Sequence, residues 1–178
     1  MAMERADREN GTAMYGESIA RARKWVVGMQ SSDGGWGAFE PENTQYYLNN
    51  IPFSDHGALL DPLTVDVSAR CLSMLAQLGE TSANSEPARR AFDYIVKGQK
   101  RDGRWYGRWG LNYIYGTWSA LCALNAAGVP PTDPRMKRAA EWLVGIQNTD
   151  GGWGEDGESY KLDYRGYEQA PSTSSQTA

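Results

Sequence analysis

Gln30-Ser-Ser-Asp-Gly-Gly-Trp36 is the first of three copies of one motif in this 178-residue chain. The second copy is Gln99-Lys-Arg-Asp-Gly-Arg-Trp105, and the third is Gln147-Asn-Thr-Asp-Gly-Gly-Trp153. Recurrence of one motif along a chain is typical of architectures that stack a repeated structural unit. The three copies therefore predict a fold made of similar units packed side by side.

The similarity between the copies extends upstream of each glutamine. An Arg-Ala pair begins nine residues before every glutamine, and an aromatic residue follows the alanine by three positions. The aligned residues are Arg21, Ala22 and Trp25, then Arg90, Ala91 and Tyr94, then Arg138, Ala139 and Trp142. The repeated unit is therefore longer than the motif, and it includes the segment that leads into it.

Helical periodicity predicts an all-α fold with helices over 16–29, 63–78, 87–98, 117–127 and 134–146, and no convincing strand. In the second of these segments, five apolar residues follow helical spacing and predict one buried stripe. They are Val67, Cys71, Met74, Leu75 and Leu78. Gly79 and Gly128 follow the last periodic residues of their segments, as is typical of helix ends.

Each copy of the motif falls just after a predicted helix, where Asp-Gly predicts a turn. A glutamine amide offers two donors and one acceptor, so it can bond the turn backbone or the start of a neighbouring helix. We therefore expect a structural role for Gln30, Trp36, Gln99, Trp105, Gln147 and Trp153. Identical residues in three places cannot share one active site.

The bulk composition excludes several functions. A net charge of −4 and an isoelectric point near 5.1 give no electrostatic signature of nucleic-acid binding. His56 is the only histidine and no Cys-x-x-Cys occurs, which argues against a zinc site, and no nucleotide-binding glycine motif is present. We expect no cofactor and no metal. Cys71 and Cys122 lie in apolar helical patterns and are expected to be buried thiols.

Polarity along the chain predicts a flexible N-terminal segment over 1–15 and one domain over 16–178. Residues 171–178 supply helix-capping side chains and then stop, which suggests a domain truncated at both ends. No apolar run is long enough to span a membrane, and residues 1–10 are too polar for a signal peptide. The chain is expected to be intracellular, and either soluble or peripherally bound.

The motif matches the QW motif of triterpene cyclases, and further segments resemble squalene-hopene cyclases in particular. Those segments are Gly35-Trp-Gly-Ala-Phe39, Ile51-Pro-Phe-Ser-Asp55, Leu60-Asp-Pro62 and Gly107-Arg-Trp-Gly-Leu-Asn-Tyr-Ile-Tyr-Gly-Thr117. The resemblance implies part of an α/α barrel within a larger enzyme bound to one face of a membrane. It also implies squalene or a related polyprenoid as the substrate of that enzyme.

The resemblance assigns candidate residues to a substrate cavity. Trp109 matches a cavity-lining position, Phe39 matches an aromatic position usually occupied by tyrosine, and Phe53 matches another cavity aromatic. Aromatic faces stabilise cations without acting as nucleophiles, although each ring is equally well explained as ordinary core. Members of the family carry an Asp-x-Asp-Asp motif whose central acid protonates squalene, and this chain has no such motif. No catalytic residue is therefore assigned.

Four further residues match positions near the acid site of the family. Asp61 and Asp66 flank the start of a predicted helix, and Arg70 follows Asp66 by four residues, so the spacing predicts an ion pair. The resemblance implies that Arg70 orients and charges the acid site and that Tyr115 joins its hydrogen-bonded network. The alternative is a surface ion pair and an amphipathic ring.

Three functions remain open from the sequence. The first is a piece of a squalene-hopene cyclase that is inactive alone. The second is an α/α-repeat module that binds a hydrophobic ligand or a protein, including a second copy through uncovered apolar faces. The third is a barrel similar to the prenyltransferase β subunit, which would need an Asp, Cys and His zinc set.

Overall fold

The computed structural model describes residues 1–42, 47, 61–160 and 166–178, with Tyr160 described by its backbone. Phe53 and His56 lie outside the described residues. The α-helices are α1 (Ala2–Asn10), α2 (Gly16–Gly28), α3 (Val65–Gln77), α4 (Glu86–Lys97), α5 (Asn112–Ala126), α6 (Pro134–Gly145) and α7 (Ser174–Thr177), and a 3₁₀ helix spans Gly157–Tyr160. Two isolated β-bridges join Trp36 to Thr64 and Glu155 to Gln169.

The fold class is all-α, as predicted. Helices α3 and α5 pack on each other at the centre, and α4 and α6 lie outside them. The core between these layers consists mainly of fully buried apolar side chains, among them Leu72, Leu75, Ile95, Trp105 and Leu124. Paired inner and outer helices that repeat along the chain form part of an α/α barrel, so this prediction is confirmed.

The buried face of α3 differs from the predicted stripe. Leu75 is fully buried, but Val67 and Cys71 are only partly buried, and the residues that face the core are Val65, Ser68, Ala69 and Leu72. Small side chains allow the backbones of α3 and α5 to approach each other, and apolar spacing alone does not reveal this. The thiol of Cys122 is exposed on α5, so the prediction of two buried thiols is wrong for that residue.

Helix α1 occupies a segment for which the sequence predicted no helix. The Asp7 carboxylate accepts hydrogen bonds from Thr12 Oγ1 (2.8 Å) and from the backbone N–H of Tyr15 (2.9 Å), which ties α1 to the start of α2. Gln77 Nε2 donates to the carbonyl of Met1 (2.9 Å) and so joins α1 to the end of α3. The bond from Gln77 joins residues 76 positions apart, so it depends on tertiary placement. The division of the chain at residue 15 stays a prediction.

The hydrogen bonds of the three motif copies repeat almost identically. In each copy the indole N–H of the tryptophan donates to a carbonyl ten residues earlier: Trp36 to Val26 (2.7 Å), Trp105 to Ile95 (2.7 Å) and Trp153 to Leu143 (2.8 Å). The backbone N–H of each tryptophan donates to a hydroxyl on the next inner helix, namely Ser68, Thr117 and Thr177. The tryptophan therefore joins an outer helix to the inner helix that follows.

The glutamine of each motif bonds the turn that it begins. Gln30 Nε2 donates to the Gly34 carbonyl (2.9 Å) and also to the carbonyl of Pro87 in the first turn of α4 (3.0 Å). Gln99 likewise donates to Gly103 (2.9 Å) and to Arg135 in the first turn of α6 (2.9 Å). These bonds connect each outer helix to the next outer helix, skipping the inner helix between them.

The glycine of the turn permits the outer helices to approach this closely. Gly103 has φ of 102°, and a Cβ atom placed there would lie 2.5 Å from the backbone of Arg138 in α6. Gly34 has φ of 96° and meets the carbonyl of Arg90 in α4 at the same distance. Any side chain at these two positions would force the helix away from the turn.

We expect Gly103→Ala to destabilise the protein by about 3 kcal/mol or more, because the positive φ and the clash with Arg138 act together. Gly128→Ala is the matched control, since Gly128 also has positive φ (87°) but has no neighbouring atom within 4 Å of the added Cβ. That variant should cost only about 1 kcal/mol. Urea unfolding followed by circular dichroism measures both, and equal losses would contradict the close approach.

Candidate functional site

Two fully buried carboxylates form the centre of the candidate site. Asp66, in the first turn of α3, accepts hydrogen bonds from the backbone N–H groups of Arg108 (3.2 Å) and Trp109 (3.1 Å). Asp61 accepts from the backbone N–H of Ala38, and its Oδ1 lies 3.3 Å from Arg108 Nε. Amides from the loops after Trp36 and Trp105 therefore bind these acids.

The groups around Asp61 shift its pKa in opposite directions. Burial raises the pKa of Asp61 above its usual value, because the charged form loses its hydration. The nearby Asp66 carboxylate adds to this effect, whereas the Ala38 N–H and the Arg108 guanidinium lower the pKa of Asp61. Asp61 and Asp66 thus form a compact acidic site, and the basic side chain of Arg108 lies next to it.

Two predicted cavity aromatics lie next to these acids. The rings of Phe39 and Trp109 are in edge-to-face contact, with centroids 5.6 Å apart and planes at 88°. Phe39 is 60% exposed and Trp109 is 41% exposed, so their faces are open to a ligand. The backbone of Trp109 is fixed by Asp66, and this couples the position of the aromatic pair to the acidic site.

Arg70 bonds Tyr115 in place of its predicted partner. Arg70 Nη2 donates to the Tyr115 hydroxyl at 2.6 Å, and the guanidinium lies 5.7 Å from the centre of that ring. An ion pair with Asp66 is not among the contacts of these two described residues, so the predicted i,i+4 pair is wrong. Arg70 instead reaches from α3 to Tyr115 on α5, because Asp66 is already bound by loop amides.

The Tyr115 hydroxyl stays protonated at neutral pH. Burial and the neighbouring Asp66 charge raise the pKa of Tyr115, and Arg70 only partly opposes them. Gly110 makes room for the ring, because a Cβ atom at that position would lie 2.5 Å from it. Tyr115 is therefore a neutral hydrogen-bonding group held between a cation and an acid.

An apolar groove of about 590 Å³ begins at this tyrosine. It is lined by Arg70, Tyr115, Ile114, Trp118, Leu143 and Trp153, together with other residues of the loop before α5 and of α7. The Trp118 ring lies 6.2 Å from that of Tyr115 and is 54% exposed. The groove thus presents aromatic and aliphatic surface beside the acidic site.

Glu155 is a third buried carboxylate that supports the site from a distance. Its Oε2 atom accepts hydrogen bonds from the N–H groups of Tyr113 (2.8 Å) and Ile114 (3.0 Å) at the start of α5. Ser159 Oγ bridges it to Asn112, whose Nδ2 donates to the Gly107 carbonyl (2.7 Å). Glu155 therefore fixes both the helix that carries Tyr115 and the loop that leads to Trp109.

The structure brings six of the predicted cavity and acid-site residues together, and of the predicted structural residues Trp153 also lines the groove. The six are Phe39, Asp61, Asp66, Arg70, Trp109 and Tyr115. The roles assigned to them, and to the glutamines and tryptophans of the motif, stay predictions, and Phe53 lies outside the described residues. Sequence reasoning missed Arg108, Trp118 and Glu155. Trp118 follows Tyr115 by three residues, and this helical spacing was a signal that could have identified it. Nothing in the local sequence marked Glu155.

In the described part of the chain, no cluster of three or more His, Cys, Asp or Glu side chains is placed to hold a metal ion. Over the same residues, none of the helices has the length and apolar character needed to cross a membrane.

Comparison with known proteins gives a consistent result. Residues 1–178 match the family described as the squalene-hopene cyclase C-terminal domain. The whole chain is 64% identical to a probable squalene–hopene cyclase of Sinorhizobium fredii and 62% identical to a squalene–hopene cyclase of Bradyrhizobium diazoefficiens, and it covers 28% and 27% of those proteins. Over 91% of the chain, identity to the Alicyclobacillus acidocaldarius squalene–hopene cyclase is 44%, covering 25% of that protein. The chain thus spans about a quarter of the length of these relatives.

We expect Glu155→Ala to destabilise the protein by about 3 kcal/mol, because two buried N–H groups of α5 lose their acceptor. Glu141→Ala, which changes an exposed acid on α6, should cost less than about 0.5 kcal/mol. Chemical denaturation of both variants beside the wild type tests this difference. A Glu155→Ala protein as stable as the Glu141→Ala protein would show that the buried carboxylate is dispensable.

Glu155 should also make stability depend on pH. Burial raises the pKa of Glu155 above its ordinary value of 4.5, so the folded chain binds more protons than the unfolded chain just above that pH. Its contribution is then present below pH 4.5 and is lost as the pH rises through the folded pKa. Glu155→Gln should show a smaller fall in unfolding free energy over this window, measured by denaturation at several pH values. An unchanged slope would count against the raised pKa.

Proposed function

Because the chain belongs to the squalene-hopene cyclase family, we propose that it supplies part of the cavity wall and the surroundings of the acid in an enzyme that cyclises squalene or a related polyprenoid. The observation that carries this proposal is the contact between the acidic site and an exposed aromatic pair. Asp66 binds the backbone of Trp109, and the Trp109 ring packs on Phe39. A proton source and a cation-stabilising surface would have to be adjacent in such a reaction.

Protonation of an unactivated alkene needs a strong acid in a cavity that excludes water. The chain has no Asp-x-Asp-Asp motif, so the donor in this proposal comes from outside these 178 residues. Asp61 and Asp66 would set the electrostatic field around that donor. Tyr115, a neutral phenol that accepts from Arg70 and also interacts with Asp66, would link the Arg70 cation to the acids around that donor.

The carbocations that follow need surfaces that are electron-rich but do not attack them. Phe39 and Trp109 present exposed rings next to the acids, and Trp118 provides a further exposed ring in the groove. A cation over a desolvated aromatic face is stabilised by about 2 kcal/mol. Most of the groove lining is aromatic or aliphatic, and its polar groups belong to Arg70, Tyr115 and α7.

On this proposal the isolated chain is inactive, since the proton donor is missing from it. The proposal also includes peripheral binding of the complete enzyme to the cytoplasmic face of a membrane. The support for membrane binding is the chemistry of the substrate, since a polyprenoid hydrocarbon dissolves in lipid far better than in water.

The groove also favours a second candidate function, the binding of a hydrophobic ligand by the chain alone. Its volume of about 590 Å³ lies within the range of small-molecule sites, and Trp118 is available at its wall. Squalene that bound the isolated chain and quenched tryptophan fluorescence, without any conversion, would support this function.

The cyclase proposal predicts that the purified chain alone converts no squalene. Mixing it with a separate chain that carries the Asp-x-Asp-Asp segment of a relative should restore a cyclised product, detected by gas chromatography and mass spectrometry. In the mixture, Trp109→Leu should lower turnover about thirtyfold because a cation–π contact of about 2 kcal/mol is lost. Trp109→Phe, the matched control, retains an aromatic face and should lose less.

Two results would contradict the proposal. Product formed by the chain alone would require another acid among its own residues. Equal turnover for Trp109→Leu and Trp109→Phe would show that the ring does not face the developing charge.

A further inference from the structure

The loop of residues 107–111, which precedes α5, carries Trp109. Asp66 holds the middle of this loop, because it accepts hydrogen bonds from the backbone N–H groups of Arg108 (3.2 Å) and Trp109 (3.1 Å). The indole N–H of Trp109 interacts with the other buried acid and lowers the pKa of Asp61. The two acids therefore contact both the backbone and the side chain of Trp109, and a displacement of the loop would change both contacts.

The same loop packs against the ring of Tyr115. A Cβ atom at Gly107 would lie 2.9 Å from this ring, and one at Gly110 would lie 2.5 Å from it. Both ends of the loop are thus in contact with the ring, whose hydroxyl accepts from Arg70. One stretch of backbone therefore sets the positions of two candidate site residues, Trp109 and Tyr115.

Asn112, the first residue of α5, closes this loop. Its side chain is fully buried, and its Nδ2 donates to the Gly107 carbonyl at 2.7 Å. Its backbone carbonyl accepts from the Gly107 N–H at 2.8 Å. Both backbone polar groups of Gly107 are therefore bonded to the same residue, and these two bonds join the beginning of the loop to the start of α5.

A third contact fixes the orientation of the Asn112 amide. Ser159 Oγ donates to Asn112 Oδ1 at 2.5 Å, and it also lies 3.2 Å from Glu155 Oε1. Because a carbonyl can only accept, the amide must present Nδ2 to Gly107 and Oδ1 to Ser159. A carboxylate in place of this amide would put an acceptor against the Gly107 carbonyl and a second charge close to Glu155.

We propose that Asn112 is a positioning residue of the candidate site, and that its amide fixes the 107–111 loop so that Trp109 and Tyr115 lie beside the acids. Asn112 is fully buried, so it acts through the loop and not on a substrate. The consequence for catalysis rests on the proposed function, whereas the placement of the loop does not. Groups held in place by such buried hydrogen bonds are preorganised for binding and catalysis.

Asn112→Asp tests the proposal because its effect should reverse with pH. The introduced carboxyl has nearly the shape of the amide, and burial beside Glu155 should raise its pKa well above that of an exposed aspartic acid. When protonated, this carboxyl can donate to the Gly107 carbonyl and still accept from Ser159. When ionised, it repels the Gly107 carbonyl and Glu155. The loop should therefore be displaced at about pH 8 and restored at about pH 5.

The indole N–H signal of Trp109 in the proton–nitrogen NMR spectrum of the purified chain reports the position of the loop. The chain has seven tryptophans, and the indole signal that disappears in Trp109→Phe belongs to this residue. In Asn112→Asp this signal should differ from that of the wild type at about pH 8 and coincide with it at about pH 5. Asn112→Ala has no donor at either pH, so its signal should differ from that of the wild type at both.

Two NMR results would overturn the proposal. One is a Trp109 signal of Asn112→Asp that coincides with the wild-type signal at both pH values, because the loop would then not need the amide. The other is a signal that differs equally at both pH values, because protonation would then not restore the bond to Gly107.

Ser159→Ala and Ser119→Ala form a matched pair that perturbs the site less. Each variant removes a buried hydroxyl, but Ser159 Oγ bonds Asn112, whereas Ser119 Oγ has no hydrogen-bond partner within the described part of the chain. Ser159→Ala should move the Trp109 signal in the same direction as Asn112→Ala but by less, because the amide keeps its Nδ2. Ser119→Ala should leave that signal in place. Equal shifts in the two serine variants would count against the role of Asn112.

Turnover in the mixture with the Asp-x-Asp-Asp chain tests the consequence for catalysis. Compared with the wild type at the same pH, Asn112→Asp should lower kcat about tenfold or more at about pH 8 and much less at about pH 5, with a smaller change in KM. If the wild-type mixture forms no product, the proposed function fails alone, and the NMR signals still decide the placement of the loop. If the wild type is active and Asn112→Asp equals it at both pH values, the positioning role is overturned.

Discussion

The hydrogen bond from each motif tryptophan to a carbonyl ten residues earlier is the constraint on which the rest of the fold depends. It turns the chain back at the end of an outer helix, so the backbone N–H of the same residue meets the hydroxyl on the next inner helix. Trp105 is fully buried, so both donors are satisfied inside the protein. Because this geometry recurs in every copy, each outer helix is joined to the following inner helix by the same pair of hydrogen bonds.

Local patterns predicted the parts of the structure that local interactions determine. Helix α2 begins at Gly16 as expected, and α6 begins at Pro134, where Asp133 caps the first turn by accepting from Arg135 N–H at 2.8 Å. Helix α5 was predicted to begin at residue 117 but begins at Asn112, because a carboxylate from Glu155 satisfies its first amides. Such a partner lies more than forty residues away in sequence, and periodicity cannot reveal it.

The candidate site likewise has features that could be predicted from the sequence and features that could not. Family resemblance identified residues that do lie together, but the partners inside the site were set by competition for hydrogen bonds. Asp66 accepts from the loop amides of Arg108 and Trp109, and Arg70 donates to Tyr115. The helical spacing of Asp66 and Arg70 permits an ion pair, but an amide-bound carboxylate inside the protein gains little from a partly solvated cation.

The buried acids also show how a repeated fold acquires one distinctive site. At the first contact between an inner helix and the following loop, the acid is on the helix: Asp66 of α3 accepts from loop amides. At the second contact the acid is on the loop instead, because Glu155 belongs to the loop and accepts from the amides of α5. Both arrangements satisfy the buried groups, and among the residues that the structure describes the first is the one that places a carboxylate beside exposed aromatic rings. The copies are alike where they hold units together, and their differences determine where an acidic, aromatic-lined cavity can form.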